Sequence, residues 1–251
     1  MRIALATLVI GNDFSKTIKP GLISKQEYCD LHNYDFVVGG DEIYDKERPP
    51  AWSKINLVRK ILGDYDVVFL SDADVVITNP LVTLDHFVDT LMPEKRKVEL
   101  KNYVEFGENA NLVNNYNAEI TLSAIPDKLI LLSRDNLNIN TGNMFFKNDP
   151  KVMAILEDVY AQTQFIDDPW WEQRAFIHLY ETQQLVRDVT QLVGASIFNT
   201  YEKNWNPGNF LIHLPGQTGH LLEAKMRQYY LMATVFPDTL LRQLTEQAAG
   251  V

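Results

Sequence analysis

The chain holds one cysteine, Cys29, in 251 residues. No intramolecular disulfide can form, which excludes the small disulfide-stapled secreted scaffolds and fits a reducing compartment. Nor does any apolar run approach the roughly 20 residues needed to cross a bilayer. The first hydrophobic stretch, Ile3 to Ile10, is short and carries no signal-peptide cleavage pattern. Basic residues are in the minority: 23 Lys and Arg stand against 33 Asp and Glu, for a formal net charge of −10. That excludes the broad basic face of a general nucleic-acid binder. A phosphate ligand would need a metal and a few placed cations. Internal repeats and low-complexity linkers are absent as well. The expectation is a soluble, cytoplasmic protein with one domain over residues 1–235 and a C-terminal helix or tail over 236–251.

What is present is organised around Tyr65-Asp66-Val67-Val68-Phe69-Leu70-Ser71-Asp72-Ala73-Asp74-Val75-Val76-Ile77-Thr78-Asn79-Pro80. Val67 to Leu70 is a continuous apolar run, as in a strand buried on both faces of a mostly parallel sheet. Asp72 and Asp74 follow, one residue apart, and alternation along extended chain points both the same way. Two close carboxylates repel unless a cation sits between them. Their oxygens suit Mg²⁺ or Mn²⁺, which can also hold phosphate oxygens. The plainer alternative is a pair of turn residues that solvate a strand end.

In chain order, residues 2–10 read as a strand ending in a loop at Gly11-Asn12-Asp13. A helix follows over about 19–33, with Leu22, Ile23, Tyr28 and Leu31 on one face. Asp35 to Gly40 is a second strand. Ser53 is a candidate cap for a helix with Ile55, Val58, Ile61 and Leu62 at helical spacing. Strand, helix, strand, helix, strand begins a doubly wound α/β sheet, and ligands sit beyond the carboxyl ends of such strands. Gly11, Gly39 and Asp72 should gather there.

Residues 93–117, charged and then Asn-rich, read as a loop or excursion. Strands are expected at 119–125 and 128–133, then a turn at Asn140-Thr141-Gly142 inside an apolar stretch. A helix over 150–164 carries Val152, Ile155, Leu156 and Val159. Another starts at Asp167-Asp168-Pro169 and carries Trp170, Trp171, Glu172 and Gln173; the tryptophans are core or a wall against a sugar ring. A late strand spans Phe210 to Gly216, followed by helices over 220–233 and 238–248. A neutral imidazole at His213 is a sensible third ligand beside two carboxylates. Lys54, one helix before the acidic pair, is placed to reach a diphosphate.

Five segments together resemble a known family. They are Trp52-Ser53-Lys54-Ile55, Val68-Phe69-Leu70-Ser71-Asp72-Ala73-Asp74, Asn140-Thr141-Gly142-Asn143-Met144-Phe145, Glu172-Gln173 and Phe210-Leu211-Ile212-His213. In order and spacing they are similar to GT-A glycosyltransferases, nearest the galactomannan galactosyltransferase and xyloglucan xylosyltransferase group. The chain also resembles a small enzyme that decorates capsid glycans in large algal DNA viruses, which would put it in the host cytoplasm. The resemblance implies a single GT-A, Rossmann-like domain with a mostly parallel sheet. It implies a Mn²⁺ (or Mg²⁺) site at Asp72, Asp74 and His213, and a nucleotide-sugar donor, UDP rather than GDP. It further places Thr7 at the base and ribose, Lys54 at the diphosphate or sugar, Asn140 and Gly142 at the sugar pocket, and Glu172-Gln173 beside the anomeric carbon. The acceptor is a glycan or other hydroxyl compound.

Two departures matter. Some relatives follow the late His with a Gly and a Lys; Gly216 matches, but Gly219 stands at the Lys position, leaving His220 or Lys225 as substitutes. Plant and fungal members carry an N-terminal membrane anchor, which is not expected here. With Gln173 supplying an oxygen to an oxocarbenium-like sugar, configuration is retained; with Glu172 as general base it is inverted. The resemblance favours retention. Two rivals remain: a haloacid-dehalogenase-like phosphatase with Asp72 as nucleophile and Asp167-Asp168 as its later acidic pair, and a non-catalytic nucleotide-sugar-binding domain.

Overall fold

A computed structural model describes residues 1–93, 95–106, 113–125 and 127–248, with 95–106, 113–125 and 234–248 described by their backbone course alone. The first half runs β1 (Ile3–Leu8), α1 (Asn12–Thr17), α2 (Lys19–His32), β2 (Asp35–Gly39), α3 (Ser53–Ile61), β3 (Val67–Ser71), β4 (Val75–Ile77), α4 (Leu84–Leu91), β5 (Lys95–Phe106) and β6 (Val113–Ile125). The second half runs β7 (Ile130–Arg134), β8 (Ile139–Lys147), α5 (Pro150–Tyr160), α6 (Trp171–Thr182), α7 (Gln184–Val189), β9 (Thr190–Gly194), β10 (Leu211–His213) and α8 (Gly219–Ala248).

The central sheet has the order β2-β1-β3-β8-β7-β9. β1 pairs parallel with β2 and β3, β7 pairs parallel with β9, and β8 pairs antiparallel with β3 and β7. β8 therefore runs against the other five, and the mostly parallel α/β sheet expected from the sequence is what forms. The buried strands explain their unbroken apolar runs. Ala4, Ala6, Val68 and Leu70 face one core with α3, α5 and α6, while Ile3, Leu5, Val67 and Phe69 face another beneath α2 and α4. Asp149 caps α5 by accepting from Lys151 N at 2.8 Å, with Pro150 in the first helical turn. Val152, Ile155, Leu156 and Val159 are buried on that helix, as their spacing required. Among the described residues, no helix is long and apolar enough to cross a membrane.

Several local expectations are corrected. The segment after Gly11 is the short helix α1, not a loop. Ser53 lies inside α3, and its Oγ accepts from Asp45 N instead of capping. On α2, Ile23 and Leu31 are exposed while Gly21, Ser24, Lys25, Tyr28 and Cys29 are buried. That helix lies against the polar backbone edge of β4, so small and donor side chains face inward. The expected excursion over 93–117 is largely an antiparallel ribbon, pairing Lys95 with Ile125 through to Phe106 with Val113. The alternation of Val98, Leu100, Val104 and Phe106 with charged residues is a strand signal that outweighs polarity. Asn109 and Asn111 lie outside the described residues.

Asn140, Thr141 and Gly142 are not a turn. They belong to β8, where the register with β7 shifts between Leu132 and Ser133. α6 begins at Trp171, past Pro169, and Trp170 and Trp171 are exposed, not core. The two C-terminal helices are one, and position 235 falls within it. α4, α7 and β9 had no sequence expectation.

Candidate metal and donor site

The parallel strands β1, β2 and β3 end at one edge of the sheet, with Leu8 in register with Gly39. Beyond β3 the chain turns through Asp72-Ala73-Asp74 into β4. This turn is tied on both sides: Asp72 N donates to Gly142 O (2.7 Å) and Leu214 N donates to Asp74 O (3.1 Å). β4 pairs antiparallel with β10, which brings His213 opposite Val75. A carboxylate oxygen from each of Asp72 and Asp74 and a ring nitrogen of His213 lie within 4.8 Å of one another. The convergence expected from the sequence is therefore present.

The ring of His213 is oriented from behind. Its Nδ1 lies 2.7 Å from Asn199 Oδ1, and its Nε2 lies 3.3 Å from Asp74 Oδ1. The Asn199 amide is oriented by its own partners: Oδ1 accepts from Asn143 Nδ2 (2.8 Å), and Nδ2 donates to Ser133 Oγ (2.8 Å) and Asn140 Oδ1 (2.9 Å). An acceptor at Oδ1 makes His213 Nδ1 the donor, so Nε2 is the ring nitrogen that faces the acidic pair. Two carboxylates and an imidazole nitrogen this close together form a donor set for a divalent cation once the ring nitrogen is unprotonated, and Mn²⁺ or Mg²⁺ fits it.

Gly142 makes room for this ring. A Cβ there would lie 2.3 Å from His213 Cε1 and 2.9 Å from Nδ1, so only glycine fits.

The site's cations are buried. Lys54 Nζ bridges Asp72 Oδ1 (2.9 Å) and Glu172 Oε1 (2.8 Å), and donates to Thr141 O at 3.3 Å. Burial pulls the Lys54 ammonium down, but Asp72 and Glu172 together raise it above its ordinary value. Burial raises the Asp72 carboxyl; Lys54 opposes this and Asp74 adds to it. Burial also pushes Asp74 upward, yet His213 overrides it and holds that carboxyl below its usual range. Lys25, wholly buried, is lowered to about 8 by burial, partly offset by Asp74 and Asp72.

On the far side of Lys54, Glu172 is buried on α6 and accepts from Thr141 Oγ1 at 3.0 Å. Gln173 Oε1 accepts from Thr141 N at 3.3 Å. Asn140 Oδ1 accepts from Gly142 N at 2.8 Å. A cavity of about 350 Å³ opens beside the turn, lined by Leu8, Ile10, Phe14, Pro50, Ala51, Lys54, Asp72, Ala73 and Asp74.

The structure thus gathers Asp72, Asp74, His213, Lys54, Asn140, Gly142, Glu172 and Gln173. Thr7 is buried within β1, its Oγ1 without a hydrogen-bond partner among the described residues, and Leu8 and Ile10 line the cavity in its stead. Gly216 sits beyond β10 in a left-handed turn (φ +73°), in open space and off the cavity lining. His220 is exposed, and Lys225 is engaged by Glu202. Asp168 holds the loop before α6, accepting from Trp170 N at Oδ1 and from Trp171 N at its carbonyl. Sequence reasoning missed Lys25, Asn199 and Phe14. Phe14, an aromatic alone in a polar segment, carried the clearest signal.

Comparison with known proteins agrees with this geometry. The family described as the galactosyl transferase GMA12/MNN10 family matches residues 9–218. A probable alpha-1,2-galactosyltransferase, gmh2, of Schizosaccharomyces pombe is 23% identical over 222 residues, covering 82% of this chain and 62% of the relative. The chain thus spans less than two thirds of that relative's length. Among solved structures, a glycosyltransferase involved in the glycosylation of the major capsid of PBCV-1 superposes with a TM-score of 0.61. The match is at 12% identity and covers 91% of this chain and all of the other. That likeness establishes the GT-A fold.

Proposed function

Because the chain belongs to the galactosyl transferase GMA12/MNN10 family, we propose that it is a metal-dependent, retaining glycosyltransferase. It moves a sugar from a UDP-sugar to a hydroxyl of a glycan acceptor. The family description and the fission-yeast relative make galactose the first sugar to test. The observation that carries this reading is the approach of Asp72, Asp74 and His213 to within 4.8 Å, with Asn199 holding Nδ1 so that Nε2 faces the carboxylates.

Asp72, Asp74 and His213 would hold Mn²⁺ or Mg²⁺, which when bound supplies Lewis-acid stabilisation for charge on a departing diphosphate. The chain's own residues do the rest. Leu8, Ile10 and Phe14 offer an apolar wall to the nucleoside. Lys54, on the cavity lining and kept charged by Asp72 and Glu172, faces the phosphates. Thr141 N fixes the Gln173 side-chain oxygen, which is then available to an oxocarbenium-like sugar. Glu172 is buried against Lys54 and Thr141, out of reach of an acceptor hydroxyl. That burial supports Gln173, and hence retention, over a general base at Glu172. The phosphatase alternative finds no support: Asp168 is occupied in the loop before α6.

The test is a thermal-shift screen of UDP- and GDP-sugars with and without Mn²⁺, followed by NMR of the product anomer. A ligand specific to the native state at a hundred times its Kd adds about 2.7 kcal/mol. The expected result is a metal-dependent shift with UDP-galactose and a product with the donor's anomeric configuration. No shift with any nucleotide sugar in Mn²⁺ would overturn the reading, and binding without turnover on any acceptor would reduce it to a non-catalytic domain.

A further inference from the structure

Lys25 is a fully buried lysine on α2 that no role above uses. Its Nζ donates to Asp72 O at 2.8 Å and Val75 O at 3.0 Å, the carbonyls at the two ends of the acidic turn. The register of β4 with β10 explains why these carbonyls need a donor from α2. Hydrogen-bonded and non-bonded pairs alternate along an antiparallel ladder. Leu214 N bonds Asp74 O, and Thr78 N bonds Phe210 O. Val75 and Ile77 between them therefore turn their backbone groups away from β10 and toward α2. Ile77 N finds Ser24 Oγ at 3.2 Å, and Val75 O finds Lys25.

Gly21, one helical turn earlier, permits the approach. A Cβ there would lie 2.7 Å from Val75 O and 2.2 Å from the Met226 methyl on α8. The turn is thus held from below by one side chain that spans both its ends. A hydrocarbon side chain in that position would leave two carbonyls without a donor.

We propose that Lys25 is a positioning residue of the metal site: its ammonium ties Asp72 O to Val75 O and so sets how closely the Asp72 and Asp74 carboxylates converge. Lys25 itself touches neither metal nor substrate. This rests on the metal reading of Asp72, Asp74 and His213. A purely electrostatic role has the opposite sign, because removing a cation beside the site favours a dication.

The test titrates the full chain with Mn²⁺ alone, following free Mn²⁺ by electron paramagnetic resonance, with circular dichroism to confirm folding. Lys25→Met is expected to weaken Mn²⁺ binding about tenfold or more, the range seen when a group orienting a ligand is lost. Lys25→Gln takes its place if the Met variant does not fold, with a loss of binding again expected. Lys25→Arg, which keeps the cation and paired donors, is expected to restore binding. Ser24→Ala removes the neighbouring α2-to-β4 bond and is expected to leave Mn²⁺ affinity unchanged. Unchanged or tighter binding in a folded neutral variant, or an equal loss in Ser24→Ala, overturns the proposal. Absence of Mn²⁺ binding to the unmodified protein, or binding that survives Asp74→Ala, overturns the metal reading instead.

Discussion

The side-chain oxygen of Asn199 lies 2.7 Å from Nδ1 of His213, and this contact decides which ring nitrogen faces Asp74. With Asn143 also donating to that oxygen, the imidazole is held with Nδ1 as its donor to Asn199 and Nε2 turned toward the carboxylates. Asn199→Ala frees the ring and removes the acceptor. The expected outcome is Mn²⁺ affinity about 10- to 100-fold weaker, measured by calorimetric titration.

Gly142→Ala tests the same ring from its other side. The new methyl would stand 2.3 Å from His213 Cε1, so the imidazole or β8 must shift. A stability loss of about 1–3 kcal/mol in urea unfolding is expected, together with loss of Mn²⁺ binding.

Lys54 and Glu172 form a buried pair at 2.8 Å, with side chains only 6% and 3% exposed. Lys54→Met leaves the Glu172 charge buried and uncompensated. It should destabilise the fold by about 3–5 kcal/mol. Adding Glu172→Gln removes that charge and should recover a large part of the loss. The measurement is a double-mutant cycle in urea, whose coupling term is expected to be well away from zero.

Much of this arrangement was legible in the sequence, for reasons specific to particular residues. Val67 to Leu70 is apolar at every position because both faces of β3 are covered, so the run announced a central strand. Val152, Ile155, Leu156 and Val159 recur at helical spacing because α5 presents one face to the sheet. Asp72, Asp74 and His213 could be grouped because the family resemblance supplied a long-range contact that local pattern does not carry.

Lys25 was not legible, since a lysine on a helix ordinarily reads as solvated; only the register of β4 reveals carbonyls that need it. Asn199 drew no reading from the sequence, because its partners, Ser133, Asn140 and His213, come from three separate strands. The strand expected over 119–125 is the second half of β6, but β5 and the first half of β6 were read as an excursion because their charge and asparagines drew more weight than their alternation.

Cys29 gives a pH-dependent check on α2 packing. The thiol is fully buried, and burial pushes it from 9.0 up to about 12. The native thiol stays neutral where the unfolded one ionises, so above pH 9 the unfolded state binds fewer protons and stability falls. Relative to Cys29→Ala, the unmodified protein should lose about 2 kcal/mol between pH 8 and pH 10.5, at 1.36 kcal/mol per unit above the unfolded value. Urea midpoints of both proteins at the two pH values check this. Titrations common to both proteins cancel in the difference.

The most direct measurement is calorimetric titration of UDP into the unmodified protein and Asp74→Ala, each with Mn²⁺ and with chelator. Binding is expected only in the unmodified protein with Mn²⁺, because Asp74 and His213 share one coordination point beside the cavity. Equal UDP affinity in all four titrations, or no binding in any, would contradict a metal-bridged diphosphate at this site.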